Sequence, residues 1–133
     1  MRLMSFVVAA MLTTLVLAMP QEQSPHERFI KAVAIAKENL ATTAGRAYDH
    51  RLSDYFNHSN SSIMSKCFQE IADRDKRAFE MVFILSKNGT VQDILIWPET
   101  NIGTCFRNKL RDKSFPIPPK DGYHAYTEMH FNP

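Results

Sequence analysis

Three residues with the spacing of a small reactive or metal-binding site fall in one stretch. His50, Asp54 and His58 stand four apart, which on a helix would stack two imidazoles and a carboxylate on one face. Such a trio could ligate a divalent metal, or serve as the acid–base patch of a small secreted hydrolase. Tyr55-Phe56-Asn57 reads as a helix already ending, however, and the trio is then expected to be a solvated polar face. His124 and His130 share one face of an alternating segment but lie six residues apart, ~20 Å at strand rise, too far for one ion. There is no CxxC or HExxH spacing, and the serines between Ser59 and Ser65 have no base placed by a motif. No catalytic, metal-binding or cofactor-binding residue is assigned, and a non-enzymatic role is expected.

Cys67 and Cys105 are the only cysteines. In an oxidising compartment an even count points to a bridge, worth ~4 kcal/mol for a loop of this size in the chain-entropy picture. The alternative is a pair of buried free thiols. Trp97-Pro98 could anchor a partner or seal the core. Asn57-His58-Ser59, Asn60-Ser61-Ser62 and Asn88-Gly89-Thr90 fit the N-glycosylation pattern, which matters only in a eukaryotic secretory host.

The surrounding chain narrows the setting. Its 133 residues carry 16 basic and 14 acidic side chains, a balance that argues against a nucleic-acid binder. Nine Phe, four Tyr and one Trp supply apolar area that offsets ordering entropy, which argues against disorder. Arg2 precedes an apolar run from Leu3 to Ala18, closed by Val16-Leu17-Ala18. Charge, apolar run and small-residue exit are the parts of a secretory signal. Residues 1–18 are expected to be a signal peptide cleaved after Ala18, giving a periplasmic or secreted protein without a stable membrane anchor. The rival is an uncleaved anchor, for which the run is shorter than the ~20 apolar residues of a spanning helix.

The elements follow from period and punctuation. Ser24-Pro25-His26-Glu27 has the form of a capping box with Pro at the first helical position. Phe29, Val33, Ala36 and Leu40 follow at helical spacing, with Ile30, Ala34 and Ile35 widening the stripe. Tyr48, Leu52, Tyr55 and Phe56 make a second helix, Asn57–Ser62 a polar connector, and Ile63, Met64, Cys67, Phe68 and Ile71 a third helix with Cys67 inward. After a charged passage over Asp73–Arg77 the period becomes two. Phe79, Met81, Phe83 and Leu85 predict a strand covered on at least one face, Asn88-Gly89 a hairpin turn, and Val91–Trp97 the return strand. Thr100 or Asn101 caps a helix that turns Ile102, Cys105, Phe106 and Leu110 inward. Phe115-Pro116-Ile117-Pro118-Pro119 is extended, and Tyr123–Phe131 alternates as a last strand.

Directions then set the topology. The return helix lets the last strand pair antiparallel with the first, in spatial order second, first, third, with helices on one face. The expected fold is α+β: a helical part over 19–77, then a β-β-α-β part over 78–133 with a three-stranded antiparallel sheet. Tyr123, Ala125, Thr127, Met129 and Phe131 would hold the last strand to the core, and His124, Tyr126, Glu128 and His130 would face the other side.

Phe83-Ile84-Leu85 with Asn88-Gly89-Thr90-Val91, then Thr104-Cys105-Phe106 with Leu110, Phe115-Pro116-Ile117-Pro118, Tyr126–Phe131, and Cys67-Phe68 upstream occur in an order that carries a resemblance. The run from Met81 to Phe131 resembles the C-terminal domain of TonB-type proteins, closest to the paired-cysteine variant of gliding-motility and outer-membrane-associated proteins. A TonB energy transducer adds a retained membrane helix and a long Pro-rich spacer, and Gln21–Gln23 is no such spacer. What the resemblance implies is the binding mode: an extended segment of a protein partner added to a free sheet edge. The expected partner surface is Tyr123, His124, Tyr126, Glu128 and His130. The alternatives are that the N-terminal helices cover this edge or that it forms a homodimer. In other function classes the rivals are a secreted inhibitor or immunity protein and the small hydrolase above.

Overall fold

The computed structural model of the chain describes residues 15, 17–70 and 77–131. Most of the expected signal segment, residues 71–76 (Ile71 of the expected third helix and all of the charged passage but Arg77) and the terminal Asn132-Pro133 lie outside the described residues.

Three of the four described helices begin where a short polar side chain satisfies a free backbone donor. Ser24 and Glu27 form a reciprocal capping box ahead of α1 (Pro25–Ala41). Thr42 ends that helix and caps the next, accepting from the Gly45 N–H at 2.9 Å, so α2 (Thr43–Ser59) follows after a single residue. Gly45 permits this tight corner, because a Cβ there would lie 1.8 Å from the Asn39 carbonyl oxygen. The connector expected over Asn57–Ser62 is only Asn60. The second helix runs on to Ser59, and the Asn60 carbonyl accepts from the N–H groups of Ile63 and Met64 to open α3 (Ser61–Glu70). Polar composition alone could not distinguish a loop from a one-residue junction between two helices.

The strands β1 (Phe79–Leu85), β2 (Val91–Trp97) and β3 (Tyr123–Met129) form an antiparallel sheet in the expected order β2-β1-β3, with α4 (Asn101–Leu110) between the last two in sequence. Gly89 turns the hairpin at φ 83°, and its carbonyl accepts from Phe115 N–H, tying the proline passage to the turn. Thr100 supplies the cap of α4, its hydroxyl accepting from Gly103 N–H at 3.0 Å. The expected bridge is present: Cys67 of α3 is bonded to Cys105 of α4, with Cα atoms 5.8 Å apart.

Helices on one face was the expectation, and the structure corrects it. α2, α3 and α4 cover the face of Phe79, Met81, Phe83, Leu85, Ile94 and Ile96, where the main core lies. α1 covers the opposite face through Phe29, Ala32 and Ala36 on Val82, with Leu95, Trp97 and Tyr126 alongside. The buried stripe of α1 is therefore Phe29, Ala32, Ala36 and Asn39, whereas Ile30, Ile35 and Leu40 remain exposed. Two alanines let the helix axis come close to the sheet. Bulkier Ile or Leu at those contacts would hold it away.

Candidate functional site

The final strand was the expected partner surface, so the direction of its backbone groups decides what it can do. Ser86 N–H donates to Thr90 O across the hairpin. Backbone groups alternate along a strand, so those of Glu80, Val82 and Ile84 face β2, and those of Phe79, Met81 and Phe83 face β3. The register pairs Met81 with Thr127 and Phe83 with Ala125. Ala125 and Thr127 thus bond to β1, and the backbone groups of His124, Tyr126 and Glu128 point away from the sheet.

The outward half-ladder is not uniformly open. Asn39 of α1 donates its amide to the His124 carbonyl at 3.1 Å, and Leu40, Asp49 and Leu52 gather around Tyr123–Tyr126. The α1–α2 corner therefore straddles the edge at the start of β3, which Asn39, 7 % exposed, achieves by bringing a polar group into the buried stripe. Beyond Tyr126 the situation changes. Glu128 and His130 are exposed, and the strand borders an open groove lined by Met64 and Phe68 of α3 with Met129 and Phe131.

The side chains sort the same way. Tyr123 is buried, edge-on to Tyr48 at 5.0 Å between ring centroids, so its side chain belongs to the core. Burial, with Asp49 nearby, raises its phenol pKa. His124 is half-buried, its Nδ1 2.9 Å from the Gly122 carbonyl. Tyr126 hydroxyl meets two carboxylates, Glu80 and, at 2.6 Å, Glu128, while the Lys37 ammonium lies 5.6 Å from its ring centroid. Glu80 and Glu128 are direct cross-strand partners. Like charges so placed repel, and the shared hydroxyl together with Lys37 offsets this. Desolvation, then the Glu128 and Glu80 hydrogen bonds, push the Tyr126 pKa well above that of an ordinary phenol. Donation from Tyr126, then from His130 at 3.1 Å, lowers that of Glu128. A phenol held this firmly protonated is a fixed donor, not a nucleophile.

The other chemical candidates separate. His50, Asp54 and His58 do share α2, which continues past the point where it was expected to stop, and all three are exposed. His58 Nδ1 bonds to the Asp54 backbone carbonyl at 2.8 Å. Among the described residues no group of three His, Cys, Asp or Glu could hold a metal ion. Trp97 is half-buried and stacks on His26 of α1 at 4.3 Å. Asn60 is 1 % exposed, so that sequon is not open to modification in the folded chain. Sequence reasoning missed Asn39, Glu80 and Lys37. Their only signal was a polar residue inside an apolar stripe, visible for Asn39 once the stripe is correctly phased.

Comparison with models of protein families, with curated proteins and with solved structures gave no match to this chain. Among the described residues no helix is long and apolar enough to cross a membrane. The Cys67–Cys105 bridge is of the kind that persists in oxidising compartments.

Proposed function

We propose that this protein is an exported, non-enzymatic binding module, periplasmic or secreted after cleavage following Ala18, that accepts an extended segment of a protein partner along the second half of β3. One observation carries the reading. From Tyr126 onward the outward backbone groups lie beside an open groove in which Met64, Phe68, Met129 and Phe131 stand next to Glu128 and His130. An added strand would gain main-chain hydrogen bonds from Tyr126 and Glu128 and place alternate side chains against that groove. The TonB-like order of motifs between Met81 and Phe131 supports the same mode, and the covered first half of the edge confines it to residues 126–130.

Glu128→Pro tests it, because that N–H takes no part in the ladder with β1. Cross-linked capture from the envelope or secreted fraction, read by mass spectrometry, should lose the partner with Glu128→Pro while the melting temperature stays within a few degrees of wild type. A folded Glu128→Pro protein that captures the same partner undiminished refutes strand addition.

A further inference from the structure

The second half of β3 presents two kinds of side chain, one on each face of the sheet. Met129 packs against the main core and, with Met64 and Phe68 of α3, makes the apolar side of the open groove. Glu128 lies on the opposite face, that of Tyr126 and α1, because side chains alternate along a strand. Its side chain is 52 % exposed. It also ends a row of charge that begins one strand further in, since Glu80 of β1 is its direct cross-strand partner. Within the chain these carboxylates are met by the Tyr126 hydroxyl, by His130 at 3.1 Å from Glu128, and by Lys37 near the Tyr126 ring. Donation from Tyr126, then from His130, lowers the Glu128 pKa, so the row reaches the open edge as a carboxylate.

An added strand would continue both patterns. In either direction, the residue beside Glu128 turns its side chain to the face of Glu128, and the residues before and after it turn theirs to the face of Met129. Given strand addition at this edge, on which the inference rests, we propose that the partner segment carries a lysine or arginine between two large apolar residues. The cation stands beside Glu128, and the apolar side chains lie against Met64, Phe68 and Met129. Opposite charges attract across a strand pair and like charges repel, so a third carboxylate in the row is disfavoured. Methionine adapts to the shape of what it packs on, so the flanking apolar residues need size more than one exact form. The preference is local. The chain as a whole carries a net charge of +2, which by itself would favour an acidic segment.

The probe is a phage-displayed library of random heptapeptides selected on the folded, disulfide-bonded protein, with enriched peptides synthesised and titrated by fluorescence anisotropy. These peptides should share an apolar–basic–apolar core, and Glu in place of the basic residue should weaken binding about tenfold. On Glu128→Lys the preference should invert, with the flanking apolar residues still required. Because that variant also takes an acceptor from Tyr126, Glu128→Gln, which keeps one, gives a second reading: there the same peptide swap should change affinity by less than about threefold. Glu128→Pro separates this inference from strand addition itself. Peptides that no longer bind folded Glu128→Pro, yet are indifferent to the charge swap on the wild-type chain, overturn the basic residue and leave strand addition standing. Peptides that bind folded Glu128→Pro undiminished overturn both, and so does a selection that enriches none.

Discussion

The two faces of the sheet bury different chemistry. On one, Phe56, Phe83 and Phe115 are in mutual ring contact, Phe79 packs on Phe106, and the Cys67–Cys105 bridge ties α3 to α4 above them. On the other, a strip of Phe29, Ala32, Ala36 and Val82 is flanked by polar contacts: Arg28 with Asp93, Asn39 with His124, and Tyr126 with Glu80 and Glu128. Apolar burial scales with area and is indifferent to direction, so the first face holds the fold together. Hydrogen bonds and ion pairs contribute less net free energy but are geometrically exacting. The second face therefore fixes where α1 sits, and with it which half of β3 is covered.

The contrast can be broken at its strongest point. Phe106 is 1 % exposed between α4 and β1. Phe106→Ala should cost about 3–5 kcal/mol, as lost burial plus a cavity, measured by urea denaturation. A loss below about 1 kcal/mol would mean that this face does not carry the stability.

A smaller effect should appear with pH, again on the aromatic face. Burial, with Tyr123 beside it, pushes the Tyr48 phenol up to about 12 from an ordinary 10. Its hydroxyl donates to the Pro116 carbonyl at 2.9 Å, which the phenolate could not do. A group whose pKa is raised on folding lends stability in full below its unfolded value. That share should be lost as pH rises from about 10 through about 12. Tyr48→Phe, though less stable at neutral pH, should show a shallower fall across that window. Identical slopes would remove Tyr48 from the alkaline transition.

The smallest change belongs to the other face. Arg28 and Asp93 are both substantially exposed, and such pairs contribute about 0–1 kcal/mol. Arg28→Ala should shift the unfolding free energy by no more than that, and moderate salt should erase the difference. A loss comparable to that of Phe106→Ala would show that α1 is held by charge and would reverse the ranking of the two faces.

Much of the fold was legible before any coordinates. The capping box at Ser24, the alternation of Phe79–Leu85, the Asn88-Gly89 turn and the inward phase of Cys67 each depend on residues close in sequence, where period and turn chemistry act directly. Together with the directions of the connections they led to the order β2-β1-β3 and to the pairing of the two cysteines. The alternation of the last strand likewise placed Tyr123 toward the core and Tyr126 away from it.

What the tertiary structure alone decided is the neighbour of each exposed-looking group. Ile30 and Leu40 have the apolar character of core residues, yet Ala32, Ala36 and Asn39 are the ones buried, because a helix crossing a sheet at short range favours small side chains at the contact. No local pattern joins Asn39 to His124, eighty-five residues away, or seats Lys37 over the Tyr126 ring. The Asn57–Ser62 stretch looked like a loop because Asn and Ser serve equally in loops and at helix junctions. In the folded chain the turn is made at Asn60 alone, and α3 buries Ile63 and Cys67. Sequence fixes local conformation through short-range sterics and hydrogen bonding. Which polar group meets which depends on how several elements pack at once.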